Sequence, residues 1–292
     1  MCVDAQTRLV SLLGHPVEHS RSPRIHNTAF RAQGVNAVYV ATPVHPDDLS
    51  GAVEGLRALQ FLGANVTVPH KEAVVPLLDD ISERAAAVGA VNTIVREPRD
   101  EGPDRLRGDN TDVAGFLAPL RERGDDALKG APMGVFGAGG AARAVVYGLL
   151  THYAPERLTV VARRPEQAER LVRDFADHDS QDALRVATFD DAASTVRASR
   201  LLVNATPLGM TPETEGTPWP AADDFDDGQV AYDLVYNPRE TRFLRDAAAR
   251  GGTTIGGLSM LVEQAAAAYR QWTGREMPRD AVYAALGSPS DG

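Results

Sequence analysis

The chain has 292 residues, which exceeds one ordinary core and predicts two domains of roughly 100–200 residues each. Hydrophobic residues make up 43% and charged residues 24%, a globular composition that excludes a disordered chain. The net charge of −10 argues against a nucleic acid partner, because binding to phosphates requires a basic surface.

The apolar segments and the N-terminus argue against a membrane span and against export. The apolar runs are short, as at residues 9–13, and none approaches the ~20 residues of a transmembrane helix. Asp4 stands where a signal peptide would carry a positive charge. Cys2 is the single cysteine, so an intrachain disulfide and a cysteine-based metal cluster are impossible. We therefore expect a cytoplasmic protein without a metal.

The first half of the chain alternates predicted strands and helices. Ser22 is the predicted N-cap of a helix that has Pro23 at its first position and Gly34 just beyond its end. Residues 97–107 are charged and contain Pro98, so they are predicted to form an exposed hairpin or loop. The predicted strands cover residues 9–13, 37–41, 65–68 and 90–95, and the predicted helices cover 23–33, 46–60 and 82–88.

A helix predicted from residue 112 to about 123 and a connector at residues 124–131 lead into a second alternating half. Residues 211–228 are predicted to form a long surface loop. Because strands alternate with helices throughout, we expect two α/β domains with parallel sheets and a cleft between them. The predicted strands cover residues 133–136, 158–162, 184–189, 200–204 and 229–234, and the predicted helices 141–150, 165–175, 241–250 and 259–273.

A glycine-rich turn between a predicted strand and a predicted helix indicates a dinucleotide site. Its residues are Gly137, Ala138, Gly139, Gly140, Ala141 and Ala142. The first glycine allows the tight turn, the second allows the backbone to approach a pyrophosphate, and the final alanine permits close helix–sheet packing. The helix start then presents free N–H groups to the phosphates.

The end of the following strand favours NADP over NAD. NAD sites place an acid there to bind the ribose 2′-hydroxyl, whereas this chain has Arg163 and Arg164. Guanidinium groups suit a 2′-phosphate through their charge and paired donors. Two solvated surface arginines are the alternative interpretation.

Polar residues in the first half indicate a site for a hydroxylated acid. Ser20 and Ser22 flank a helix start, where hydroxyls and free N–H groups can bind a carboxylate; helix capping would explain Ser22 alone. Strand alternation is expected to direct Asn65 and Thr67 to one face, with Lys71 just beyond the strand end. Asn92 adds an amide farther along the chain.

Lys71 is notable because the chain has 30 basic residues, of which Lys71 and Lys129 are the two lysines. Arginine cannot release its proton in a protein, whereas lysine can. Asp112 lies at a predicted helix start, where a first-turn acid is also common. A lysine and an aspartate converging on one hydroxyl would form an acid–base pair.

These segments, in this order, resemble the shikimate dehydrogenase family. They comprise Ser-x-Ser-Pro, Asn-Val-Thr-Val-Pro-x-Lys, Gly-Ala-Val-Asn-Thr, Gly-Asp-Asn-Thr-Asp and Gly-Ala-Gly-Gly-Ala, and the resemblance extends from about residue 9 to 275. It implies reversible NADPH-dependent reduction of 3-dehydroshikimate to shikimate in aromatic amino acid (chorismate) biosynthesis. It implies a substrate domain over residues 1–111, with helices from about 257–292 packing back onto it, and a Rossmann-type NADP domain over 112–256.

The resemblance also assigns roles to residues. Lys71 and Asp112 would be the catalytic pair, and Ser20 and Ser22 would hold the carboxylate. Thr206 and Gly257 would lie near the nicotinamide. The remaining substrate contacts would be Asn65, Thr67, Asn92, Gln264 and Tyr236. A monomer or homodimer is expected, with no nucleic acid or membrane partner.

Two alternatives remain open at this stage. One is a quinate/shikimate dehydrogenase that uses NAD, which an acid at the end of the second cofactor strand would favour. The family's asparagine before the phosphate-binding arginine is replaced by Ala162, so Arg163 and Arg164 would have to select NADP. The other is a non-catalytic NADP-binding regulator, which would not need Lys71 and Asp112.

Overall fold

The computed structural model describes residues 3–287, so Cys2 and the end of the predicted C-terminal segment lie outside the described residues. These residues form two compact units. The first comprises the chain up to Thr111 and from Val262 onward, and the second is Asp112–Leu261. No helix within residues 3–287 has the length and apolarity needed to cross a membrane.

The first unit contains a six-stranded sheet in the order β2-β1-β3-β5-β6-β4. Its strands are β1 (Arg8–Gly14), β2 (Ala37–Pro43), β3 (Gly63–Val66), β4 (Asp80–Ile81), β5 (Thr93–Glu97) and β6 (Arg105–Asp109). The accompanying helices are α1 (Ser22–Ala32), α2 (Leu49–Ala58) and α3 (Glu83–Val88).

The sheet of the first unit is mixed, so the prediction of a wholly parallel sheet is wrong here. β1 runs parallel to β2 and β3, but β5 is antiparallel to both β3 and β6. The short connection between β5 and β6 can join only antiparallel neighbours. The predicted loop at residues 97–107 is also too long, since β6 begins at Arg105. The Arg107 side chain pairs with Glu97 at 2.7 Å, which shows why charged residues are accommodated in these strands.

The second unit contains a six-stranded parallel sheet in the order β12-β11-β10-β7-β8-β9. Its strands are β7 (Met133–Phe136), β8 (Leu158–Val161), β9 (Leu184–Ala187), β10 (Leu201–Asn204), β11 (Val230–Asp233) and β12 (Thr253–Ile255). The helices that follow α3 are α4 (Asp112–Glu122), α5 (Gly140–Tyr153), α6 (Pro165–Asp174), α7 (Ala193–Ala198), α8 (Arg242–Ala249), α9 (Gly257–Thr273) and α10 (Arg279–Gly287).

This strand order is that of a doubly wound dinucleotide-binding sheet, with β7 as the first strand at its centre. Val135, Leu202 and Val203 are fully buried, as expected for strands covered by helices on both faces. β8 and β9 follow on one side of β7, and β10, β11 and β12 follow on the other side. The strand order therefore reverses between β7 and β10. Ligands of such sheets bind at the carboxyl ends of the strands beside this reversal.

Most of α9, together with α10, packs in the first unit. The Trp272 indole Nε1 donates to the carbonyl oxygen of Ile94 at 3.0 Å, which ties α9 to β5. The Tyr269 hydroxyl donates to Gln33 Oε1 at 2.8 Å, beyond the end of α1. These contacts secure the C-terminal helices on the first sheet.

Candidate functional site

Asn65 lies on β3 within a chain of buried polar side chains. Its Nδ2 donates to the carbonyl oxygen of Asn92 at 3.0 Å and to Thr93 Oγ1 at 3.2 Å. Its Oδ1 accepts from the Tyr39 hydroxyl at 2.8 Å. Both amide protons are therefore engaged with the protein, so Oδ1 is the atom of this amide that can accept from a ligand. Asn65 is thus suited to accept a hydrogen bond from a ligand hydroxyl.

Asn92 extends this chain of polar side chains to Thr111, the last residue of the first unit before α4. Its Oδ1 accepts from the backbone N–H of Thr111 at 2.8 Å and from the hydroxyl of Thr93 at 3.0 Å. Asn92 and Thr111 are both buried. The orientation of the Asn92 amide is therefore fixed by its neighbours before any ligand binds.

Lys71 lies in the turn after β3, and the backbone of this turn is anchored. The carbonyl oxygen of Lys71 accepts from Val91 N–H at 2.8 Å, next to Asn92 in the chain. The buried His70 places Nε2 2.7 Å from the carbonyl oxygen of Val44, and because a carbonyl can only accept, Nε2 carries the proton. The Lys71 side chain is partly exposed, as a group that meets a ligand must be.

Ser20 and Ser22 lie at the start of α1, and the capping role predicted for Ser22 is not observed. The prediction that Ser22 is the N-cap is wrong, because α1 begins at Ser22 and Arg21 occupies the N-cap position with φ −85° and ψ −6°. Arg21 already has helical geometry, so a serine one residue later cannot cap the helix. Ser20 Oγ instead accepts from Ser22 N–H at 3.2 Å. The hydroxyl proton of Ser20 can still donate to a carboxylate.

Tyr39 connects two predicted substrate residues and was missed by the sequence analysis. Its hydroxyl donates to Asn65, and its ring stacks on His26 with centroids 4.4 Å apart. Burial raises the pKa of the Tyr39 hydroxyl, while a hydrogen bond with the Ser22 side chain opposes that rise. The hydroxyl is therefore a neutral structural link between Ser22 and Asn65.

Thr67 and Gln264 complete the predicted residues of the first unit. β3 ends at Val66, and Thr67 is the next residue. Its N–H donates to the carbonyl oxygen of Leu13 at 2.9 Å, and the expected sharing of a face with Asn65 stays a prediction. Gln264 is buried on α9.

Asp112 and Tyr236 belong to the second unit. Asp112 is the first residue of α4 and is buried, as the sequence predicts for a helix-start acid. Tyr236 is partly exposed in the loop after β11. The pairing of Asp112 with Lys71 stays a prediction.

The glycine-rich turn joins β7 to α5 and has the features of a phosphate site. Gly137 has φ +109°, and a Cβ at this position would lie 3.0 Å from the carbonyl oxygen of Ala205. Gly139 is the N-cap of α5 and provides no side-chain cap, while a Cβ there would meet nothing within 4 Å. Because no side chain caps α5, its first N–H groups can bind an anion.

Arg163 and Arg164 follow β8, two strands from β10 across the sheet. Both are exposed in the bend that leads into α6, and Arg164 is the N-cap residue of that helix. No acid stands between the end of β8 and Pro165. The position offers two cations and no carboxylate to a ribose.

The ends of β10 and β11 are joined by a second buried polar network. Asn204 Oδ1 accepts from both the backbone N–H of Thr206 at 3.0 Å and its hydroxyl at 2.6 Å. Asn204 Nδ2 donates to Asp233 Oδ1 at 2.9 Å. Burial raises the pKa of Asp233 to about 6, and hydrogen bonds from Thr241, Val235 and Asn204 oppose the increase.

Gly257 lies against the loop after β11. Its N–H donates to the carbonyl oxygen of Val235 at 3.2 Å. A Cβ added to Gly257 would lie 2.2 Å from the carbonyl oxygen of Leu234. Thr206 packs against Gly137, since a Cβ on that glycine would be 3.1 Å from Thr206 Cγ2. The predicted cofactor residues Gly137, Thr206 and Gly257 therefore lie near the carboxyl ends of β7, β10 and β11.

Comparisons with known proteins cover nearly the whole chain. The family pattern described as the shikimate dehydrogenase substrate binding domain matches residues 12–94, and that of the shikimate 5′-dehydrogenase C-terminal domain matches residues 257–286. The NADP(+) shikimate dehydrogenase of Salinibacter ruber is 72% identical over 287 residues, covering 98% of this chain and 99% of that protein.

Two solved structures share the fold across nearly the whole chain. The shikimate 5-dehydrogenase of Listeria monocytogenes, in complex with shikimate and NAD, has a TM-score of 0.87 at 34% identity and covers 97% of this chain and 98% of its own. The quinate dehydrogenase of Corynebacterium glutamicum, in complex with NAD, has a TM-score of 0.86 at 32% identity and covers 96% and 98%. From its motifs, its two units and these relatives, the chain belongs to the shikimate dehydrogenase family.

Proposed function

We propose that this chain catalyses the reversible, NADP-dependent reduction of 3-dehydroshikimate to shikimate in aromatic amino acid biosynthesis. The observation that carries the proposal is the anchored Lys71 turn, hydrogen-bonded to the segment that holds the buried amide of Asn92. The family relationship and the phosphate-type turn at Gly137 support the same reaction.

The first unit would hold the substrate. Ser20 and Ser22 would bind its carboxylate, with Ser20 donating its hydroxyl proton. The engaged amide protons of Asn65 make its Oδ1 an acceptor for one ring hydroxyl. The other substrate contacts would come from Thr67, Asn92, Gln264 and Tyr236.

Lys71 and Asp112 would manage the proton of the reacting oxygen. During reduction, a ketone oxygen acquires negative charge, and a nearby ammonium group can stabilise that charge and supply a proton. A carboxylate would hold the ammonium group in place. The pair would carry one transferable proton, which either the Lys71 ammonium or the carboxylic acid form of Asp112 would release to the substrate.

The second unit would hold NADP, with the pyrophosphate at the turn formed by Gly137, Ala138, Gly139, Gly140 and Ala141. Arg163 and Arg164 would bind the 2′-phosphate, and Thr206 and Gly257 would flank the nicotinamide. When bound, the nicotinamide supplies or accepts the hydride. The protein contributes orientation and charge.

Steady-state assays with shikimate or quinate, each with NADP or NAD, test the proposal. We expect the highest kcat/KM with shikimate and NADP. A preference for quinate and NAD would support the alternative represented by the Corynebacterium glutamicum relative. Tight NADP binding without turnover of either acid would support a non-catalytic regulator.

Replacing Arg163 and Arg164 together with alanine is expected to raise the KM for NADP at least about 10- to 100-fold, since the loss of even one charge-assisted hydrogen bond costs ~1.5–3 kcal/mol. The KM for NAD should change much less, because NAD lacks the 2′-phosphate. Arg170→Ala, an exposed change on α6, is the control. Equal increases for both cofactors would contradict the assignment.

Replacing Tyr39 with phenylalanine is expected to raise the KM for shikimate about tenfold, because the loss of one buried hydrogen bond costs ~1–3 kcal/mol and removes a donor that orients Asn65 Oδ1. The ring stacking on His26 would be retained. Tyr269→Phe, which removes a similar hydroxyl bond to Gln33, is the matched control. If both variants have the wild-type KM, Tyr39 does not orient the substrate site.

We also propose a cytoplasmic location and a monomeric or homodimeric state. The single cysteine, which permits no intrachain disulfide, supports a reducing compartment.

A further inference from the structure

Asp233 is a fully buried carboxylate at the carboxyl end of β11. Its Oδ1 accepts from Asn204 Nδ2 and from the backbone N–H of Val235, both at 2.9 Å. Its Oδ2 accepts from the Thr241 hydroxyl at 2.5 Å. Among the described residues, no cation forms an ion pair with it, so three neutral donors replace water around the carboxylate.

One branch of this network leads to Thr206. Asp233 and Asn204 are paired in register on neighbouring strands. Because the Asn204 amide group donates to Asp233, its Oδ1 faces the opposite way and accepts both the N–H and the hydroxyl of Thr206. If the amide group flipped, its nitrogen would face the Thr206 N–H, so that bond would be lost and the Thr206 hydroxyl would have to accept instead of donate.

The other branch holds the loop that carries Tyr236. The carboxylate binds the loop at its start through Val235 N–H and at its end through Thr241. Thr241 is also the N-cap of α8, since its Oγ1 accepts from Leu244 N–H at 3.4 Å. Tyr236 lies between the two attachment points.

A buried carboxylate without a cation opposes folding, since desolvation penalises its charged form. Thr241 caps α8 through its own hydroxyl, so the helix start does not require Asp233. The Asp233 carboxylate adds one group to which both the loop after β10, through Asn204, and the loop after β11 are attached. Such a costly group beside a ligand site is characteristic of function.

We propose that Asp233 is a positioning residue, which aligns Thr206 and Tyr236 for hydride transfer by holding the loops after β10 and β11. The inference rests on the proposed function, because Thr206 and Tyr236 receive their roles from it. Asp233 itself would touch neither substrate nor cofactor.

The test compares Asp233→Asn and Thr241→Val with the wild-type enzyme. It measures kcat, both KM values and the kinetic isotope effect with shikimate deuterated at the carbon that loses the hydride. We expect kcat to fall about 10- to 100-fold, since a misplacement near 1 Å can cost that much. The isotope effect should rise as hydride transfer becomes slower than product release.

The matched control is Asp125→Asn, which also alters a carboxylate bonded by a hydroxyl, here that of Tyr153 at 2.8 Å. Asp125 precedes β7 and so lies at the amino end of the sheet, away from the proposed site. This variant should have the wild-type isotope effect. Thr241→Ser retains the hydroxyl and should restore most of the activity that Thr241→Val loses.

Two outcomes overturn different statements. Wild-type enzyme that turns over neither acid would contradict the proposed function, whatever Asp233 does. Suppose instead that the wild-type enzyme is active and that Asp233→Asn and Thr241→Val melt at a lower temperature but have the wild-type kcat and isotope effect. Asp233 would then have only a structural role. If Asp233→Asn fails to fold, Thr241→Val decides the question, because it retains the carboxylate and removes one branch together with the cap of α8; loss of the cap alone should lower stability and leave the isotope effect unchanged.

Discussion

Replacing Lys71 with alanine is expected to lower kcat for shikimate oxidation about 10²- to 10⁴-fold, the range that positioned proton transfer contributes. The folded structure should survive, because the turn is held by backbone bonds from Val91 and by the side chain of His70. Steady-state kinetics at saturating NADP measure the loss. The effect should exceed that of any change in the substrate-binding residues.

Two variants separate charge from proton transfer at Lys71. Lys71→Arg retains the positive charge but cannot release its proton, so it should remain nearly as impaired as the alanine variant. Lys129→Ala is the matched control, since this exposed lysine forms an ion pair with nearby Asp126 at 2.7 Å. An alanine variant with raised KM and wild-type kcat would make Lys71 a binding residue.

The cofactor unit could be predicted in detail because its signals are local. The strand over residues 133–136 matches β7, and the glycine turn precedes α5 as predicted. Parallel strands buried on both faces are continuous apolar runs, so sequence alone identifies them. The position of Gly257 against Leu234 is not local, and no sequence pattern indicates that contact.

The substrate unit was less predictable because its key contacts cross strands. Tyr39 and Asn65 lie on strands separated by β1, roughly 10 Å apart at the usual strand spacing, and only the sheet order brings their side chains together. β6 was missed in part because its arginines resemble a loop, although Arg107 is neutralised by Glu97 across the hairpin. Asp233 likewise has no sequence signal, since its neighbours come from separate connections.

Replacing Gly63 with alanine is expected to lower the free energy of unfolding by about 2–5 kcal/mol, combining overpacking with a strained hydrogen bond. A Cβ there would lie 2.3 Å from both the Ile94 carbonyl oxygen and Trp272 Nε1. Ile94 is held in the ladder between β3 and β5, so the indole must move. Urea unfolding, followed by circular dichroism, measures the change.

Gly51→Ala is the matched control, because Gly51 is exposed on α2 and a Cβ there meets nothing within 4 Å. This change should leave stability unaltered or raise it by up to ~1 kcal/mol through helix propensity. The Gly63 penalty should also shrink in a Trp272→Leu background, since part of the clash is then absent. A Gly63→Ala protein as stable as wild type would show that the link between α9 and the first sheet is not tightly packed.

Because Asn65 lies two residues beyond Gly63 on β3, a displacement of this strand in Gly63→Ala should raise the KM for shikimate as well.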